Sequence, residues 1–329
     1  MTAISYSEPL STTASAQLKS RVDARVPALD GLRGLATLMV VFSHFFGEVD
    51  HGITAFMVGW IAVTIFFTLS GYLVGKLILE RKHSTNFFTV FYVRRICRTV
   101  PSYMLVTLMV YAMFAMVNPP KVWMQFEAGF PLWSYLTFTQ NFLMAFSNEV
   151  GPHWLGPLWT LALEEHFYLL GPALLVFTPK RWIVPVLITI AIAAIGFREA
   201  AITTAPRTMI ALLLLPSRMD TLIMGILAAV LVTRSNTDWT KIDRWLRIIP
   251  LVSFVLTFTL RVIDEHLMLV FSPFILGFGS AAFILMLLRG LPEAARFNSK
   301  FLIFFADTSY AIYLTHLSVL ASMHGLFLG

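Results

Sequence analysis

Arg33 and His44 stand eleven positions apart in an apolar stretch, where an ionisable side chain costs at least about 2.5 kcal/mol and needs a partner or a task. On a regular helix that spacing puts them about 20° from a common face and about 16 Å apart along the axis. They are therefore expected to look into one cavity at different depths, Arg33 at its mouth and His44 past the midplane. A neutral imidazole at that depth can take a proton from a hydroxyl. Arg95 and Arg98, three apart on one helical face at the start of another apolar run, make a fork for phosphate oxygens. Anchoring on the positive-inside side is the plainer reading of the same two residues.

A second group lies in Trp159-Thr160-Leu161-Ala162-Leu163-Glu164-Glu165-His166-Phe167-Tyr168. Two adjacent carboxylates in an apolar span must be paired or protonated. Glu164 and Tyr168 share a face at i, i+4, so one acid is free to orient a histidine from another helix. The order Glu-Glu-His lacks the second histidine of a zinc helix, and Cys97 is the single cysteine, so no metal site and no intramolecular disulfide are expected. Ser70 and Gly71 close the run Phe66-Phe67-Thr68-Leu69-Ser70-Gly71, where small residues let backbones approach. Arg218-Met219-Asp220 suggests an internal Arg–Asp pairing, within the segment or with other helices, and Tyr313 and His316 put polar groups on the last apolar segment.

These residues need an apolar frame, and the composition supplies one: 57% hydrophobic and 13% charged, with a mean hydropathy of +0.76. Such a chain is too apolar for a soluble domain. The runs approach the 20 or so residues of a transmembrane helix, which predicts an all-α polytopic bundle of about nine or ten spans. Apolar segments fall near 34–49, 54–79, 98–117, 132–146, 157–178, 182–197, 208–233, 248–263, 267–289 and 301–327. If the 132–146 segment is re-entrant rather than spanning, nearly all basic clusters fall on one side, as cytoplasmic loops require. Arg198, Arg207 and the C-terminus then fall outside. The stretch 118–156, with Asn118, Pro119, Pro120, Trp123, Gln140, Asn141 and Trp154, becomes a candidate acceptor side. The formal charge of +6 is ascribed to orientation, not to nucleic acid. Residues 1–28 carry no apolar core before Leu35, which predicts a cytoplasmic N-terminal tail ahead of a membrane domain over 29–329.

In this order the segments resemble the acyltransferase-3 family of membrane-bound O-acyltransferases. The match covers roughly residues 26–318 and rests on five patterns. They are Arg33 with His44; Phe66 to Gly71; Arg95 with Arg98; Trp159 to Tyr168, with Thr160 in place of serine; and Ser309-Tyr-x-x-Tyr-Leu-x-His316. The resemblance implies transfer of an acyl group, usually acetyl from acetyl-CoA on the cytoplasmic side of a bacterial inner membrane. The acceptor is a hydroxyl of a glycan, glycolipid or secondary metabolite, and no metal is needed. It implies Arg33, Arg95 and Arg98 as donor-binding residues, and His44 as general base or acyl carrier supported by Glu164 or Glu165. Ser70, Asn141, Trp159, Tyr168, Arg218, Tyr313 and His316 are candidate substrate contacts. The small size suggests a standalone tailoring enzyme, and the sequence departs from the commoner pattern in stopping shortly after His316 without another clear span. A transporter or flippase using the same charges as an ion route is the competing class.

Overall fold

The computed structural model describes residues 26–47, 58–117, 129–204, 208–234 and 237–327. The tail up to residue 25, Asn118, Pro119, Pro120, Trp123 and Arg207 lie outside the described residues. Within them every regular element is a helix. The order is α1 (Pro27–Phe42), running into a π turn over Ser43–Gly47, then α2 (Gly59–Arg81) and α3 (Phe87–Val117). Next come α4 (Leu132–Leu136), α5 (Gln140–Ser147), a 3-10 turn over His153–Leu158 and α6 (Trp159–Phe177). The chain continues through α7 (Ile183–Thr204), α8 (Thr208–Leu213), α9 (Leu215–Thr233), α10 (Trp239–Ile263) and α11 (Glu265–Arg289). It closes with a 3-10 turn over Pro292–Asn298, α12 (Lys300–Asp307) and α13 (Ser309–Phe327).

Among the described residues, eight stretches are long and apolar enough to cross a membrane. They are α1 with its π turn, α2, α3, α6 with the turn before it, α7, α8 joined to α9, α10 and α11. The 19 residues of α13 reach about 28 Å at 1.5 Å per residue, a ninth segment of spanning length made less apolar by its two histidines. The run near 132–146 does not span. It is broken into α4 and α5, 5 and 8 residues long, at Phe138, whose φ is +56°. A bulky residue in the left-handed region is strained. It is held by the Thr139 amide donating to the Ser134 carbonyl at 2.7 Å and by its ring stacking on Tyr103 at 4.4 Å.

Ion pairs and ring contacts identify the two ends of the bundle. Arg289, ending α11, grips Asp243 near the start of α10 through two bonds of 2.9 and 3.0 Å, and Phe88 of α3 stacks on Phe177 of α6. At the other end, Glu199 of α7 meets His266 of α11 at 2.8 Å. With α4 and α5 adding no crossing, the helix termini bearing Arg81, Lys180, Arg181, Arg234, Arg247 and Arg289 fall at the first end.

The centre of the bundle is the crossing of α2 and α9. A Cβ on Gly71 would collide with the carbonyl of Leu222, and one on Gly225 with the carbonyl of Thr68, so the two backbones touch there. Next to this crossing lies the ion pair expected of this segment, made with another helix. Asp220 pairs with Arg198 of α7 at 2.6 Å, both side chains fully buried, and not with Arg218. Two positions apart on a helix, Arg218 and Asp220 point some 200° away from each other. Arg198 donates from Nε to the Val270 carbonyl of α11 at 2.7 Å and from Nη1 to the Ser217 carbonyl. One guanidinium thus brackets α7, α9 and α11. Removing one partner of a buried pair leaves the other charge uncompensated, at about 3–5 kcal/mol. Arg198→Leu is therefore expected to lower the unfolding temperature in detergent sharply, and adding Asp220→Leu to restore part of the loss. A double variant as unstable as the sum of the two would refute the pairing.

Candidate active site

Ser70 precedes the glycine that brings α2 against α9, and its position there aims its hydroxyl across to α6. Ser70 Oγ donates to Glu164 Oε1 at 2.5 Å. Tyr168, one turn along α6 as the i, i+4 spacing predicted, donates its hydroxyl to Glu164 Oε2 at 3.2 Å. The neighbouring acid turns the other way. Glu165 accepts the hydroxyl of Thr99 on α3 at 2.7 Å, and the Thr99 carbonyl accepts the Tyr310 hydroxyl of α13 at 2.6 Å. Each carboxylate is met by hydroxyl donors from another helix, so the pair ties α2, α3, α6 and α13 together.

Above Glu164 lie the arginines. The Arg95 guanidinium stands 4.6 Å from the centre of the Tyr168 ring and 5.7 Å from that of Phe91, a cation–π arrangement that fixes its plane. Arg33 and Arg98 are close enough for their charges to oppose one another. Neither has a carboxylate within ion-pair distance among the described residues. A cavity of about 130 Å³ is lined by Arg33, Arg95, Arg98, Ser70, Glu164 and Tyr168, with Phe66, Phe67, Thr99, Thr160, Tyr310 and Tyr313 among its other walls. Three guanidiniums and one carboxylate face it, an arrangement that fits a polyanion.

His44 does not line that cavity. It sits in the π turn that ends α1, an irregularity frequent at functional sites. Its Nδ1 lies 2.9 Å from the Val40 carbonyl and 3.2 Å from Nε2 of His316. Between the cavity and the two imidazoles stands Tyr313. Its hydroxyl is 2.6 Å from Thr160 Oγ1 and 3.1 Å from the Pro157 carbonyl, and its ring is 5.8 Å from that of His316.

The structure therefore assembles most of the expected residues, with different partners. Arg33, Arg95, Arg98, Ser70, Glu164, Tyr168 and Tyr313 converge on one cavity. Glu164 and Glu165, the acids expected to support His44, are bonded to hydroxyls, and among the described residues the His44 ring meets that of His316. Trp159 and Arg218 lie behind the wall, the guanidinium 6.0 Å from the indole and its Nε donating to the Leu212 carbonyl at 2.9 Å. Asn141 is buried away from the cavity and donates to the Leu213 carbonyl at 3.2 Å. Thr99, Thr160 and Tyr310 were not singled out as site residues. For Thr99 the signal was its place one residue beyond Arg98, and for Tyr310 its place in the last pattern. No group of three or more metal-ligating side chains occurs among the described residues.

Comparison with known proteins shows the family of the chain. The family described as an acyltransferase domain matches residues 26–329, and the chain belongs to it, the acyltransferase-3 family. The peptidoglycan O-acetyltransferase OatA of Listeria monocytogenes is 34% identical over 167 residues, covering 48% of this chain and 25% of that protein. The O-acetyltransferase OatA of Staphylococcus aureus (strain NCTC 8325) is 25% identical over 322 residues, 92% of this chain and 52% of that one. The chain thus spans about half or less of the length of these curated relatives. No solved structure matches it.

The hydroxyls on Glu164 provide a direct check. Hydrogen bonds to charged groups contribute about 1.5–3 kcal/mol. Ser70→Ala is expected to destabilise the detergent-solubilised protein by about that amount, and Ser70→Thr, which keeps the donor, by less. Equal losses in thermal unfolding would show that Ser70 acts through its size alone.

Proposed function

We propose that this chain is a multi-pass membrane O-acetyltransferase that carries acetyl from acetyl-CoA to a hydroxyl of a glycan or glycan-bearing acceptor. In this reading its basic end and N-terminus face the cytoplasm of a bacterial inner membrane. The observation that carries the reading is the cavity with Arg33, Arg95 and Arg98 on its wall and a single carboxylate opposite them. A donor bearing a diphosphate and a ribose phosphate needs several guanidiniums at the cytoplasmic face. Arg33 and Arg98, with no carboxylate within ion-pair distance among the described residues, supply charge, and Arg95, held flat on Tyr168, supplies a fixed fork. Family membership supports the acyl chemistry. The relatives named as O-acetyltransferases support acetyl, and the one named for peptidoglycan favours a sugar hydroxyl.

His44 serves as the general base. The acceptor O–H gives its proton to the imidazole as the oxygen bonds to the thioester carbonyl carbon. The C–S bond then breaks, and the CoA thiolate leaves and takes that proton back from the imidazolium, which regenerates the base. Glu164 and Glu165 are not placed to touch the histidine. Their part is to hold Ser70, Tyr168 and Thr99, and through them the arginine wall.

With purified protein in nanodiscs, radiolabelled acetyl-CoA and a mixture of glycan acceptors, acetyl transfer is expected, with His44→Ala abolishing it. Arg33→Ala and Arg98→Ala should each raise KM for acetyl-CoA about 10- to 100-fold, the equivalent of one or two charge-assisted contacts. Full transfer by His44→Ala, or donor affinity indifferent to both arginine changes, would overturn the reading.

A further inference from the structure

The hydrogen-bond pattern around the two imidazoles fixes where their protons lie. Nδ1 of His316 is 3.1 Å from the Ile312 carbonyl and 3.0 Å from the Tyr313 carbonyl. Carbonyl oxygens only accept, so this nitrogen carries the hydrogen, and in a neutral imidazole Nε2 then carries the lone pair. That Nε2 points at Nδ1 of His44, 3.2 Å away. On its other side the same Nδ1 faces the Val40 carbonyl at 2.9 Å. Flanked by two acceptors, Nδ1 of His44 is the donor, and the lone pair of neutral His44 belongs to Nε2.

We propose that His316 is the positioning residue of the active site. It holds His44 as the Nδ1–H tautomer and presents His44 Nε2 as the basic nitrogen. This rests on the reading of His44 as the general base. When Nε2 takes the acceptor proton, the resulting imidazolium keeps its Nδ1–H on the His316 lone pair and the Val40 carbonyl, so the new charge is met by two acceptors already in place. His316 thus performs the orienting task that a carboxylate performs in a catalytic triad, and it does so without a second charge. A carboxylate at this depth would have to be stripped of water, whereas a neutral imidazole, 5% exposed, carries little of that cost. The π turn at Ser43–Gly47 carries His44 at the place where α13 brings His316 within reach.

Two measurements test the assignment. In the intact protein with 15N-labelled histidine rings, a difference spectrum against His44→Ala is expected to show a protonated Nδ1 and an unprotonated Nε2 for His44. The opposite tautomer would overturn the proposal. In acetyl-transfer kinetics, His316→Leu is expected to lower kcat about 100-fold, a typical contribution of acid–base catalysis, with KM for acetyl-CoA unchanged. His316→Gln, whose amide oxygen reaches the place of Nε2, should recover kcat to within about tenfold of the parent. A His316→Leu enzyme with parental kcat, or a His316→Gln enzyme as slow as His316→Leu, would refute the positioning role. Activity surviving in His44→Ala would instead refute the reading of His44 as base, so the two failures are distinct. Where His44→Ala does not fold, His44→Gln serves as the reference for the difference spectrum.

Discussion

A charge carried into an apolar bundle has to be met by the bundle itself, since neither lipid nor distant water will do it. This constraint organises the whole molecule. Arg198 shows it in its most complete form. Its guanidinium is spent on Asp220 and on two backbone carbonyls of neighbouring helices, so the charge becomes a fastening between α7, α9 and α11. Beside it, the glycine contact of α2 and α9 sets the distance at which every other side chain in the centre must work.

The acids of α6 are handled differently. They are met by hydroxyls, from Ser70 and Tyr168 on one and from Thr99 on the other. Hydroxyls satisfy lone pairs without cancelling charge. The arginines around the cavity consequently keep most of their field, and Arg95 is steadied by aromatic rings rather than by a carboxylate. Had the bundle answered Glu164 with close ion pairs to these arginines, the cavity would hold a neutral network in place of an anion-binding wall.

Much of this could be read in the sequence. Spans and helical class follow from run length and apolarity, and the i, i+4 relation of Glu164 and Tyr168 follows from helix geometry alone. The contact of Gly71 follows from its lack of a side chain. What could not be read were partners brought from far along the chain. Arg198 could be assigned a side of the membrane from the basic clusters, but only the packing of α9 and α11 around it shows what its charge meets. The pairing of Asp220 with an arginine was legible, but which helix supplies that arginine was not, and Arg218, two positions away, points apart from it. The projection of Arg33 and His44 onto one face assumed a regular helix, and the π turn at Ser43 breaks that assumption. Both acids were free to meet a histidine on paper; in space, hydroxyls on α2, α3 and α6 reach them first.

His44 and His316 meet across 272 positions of sequence, and α1 is also covered by α12, which is made almost as late. A chain that enters the bilayer helix by helix, starting from its N-terminus, therefore holds its first span without its final neighbours throughout synthesis. The arginine wall can form once α6 has been inserted, because α1, α2, α3 and α6 are all early. The imidazole pair cannot. Its loop closure spans 272 positions, and contacts so distant in sequence are the slowest class to form in folding. The order of manufacture thus completes the donor side of the cavity first and keeps His44 from its neighbour until the remainder of the bundle stands.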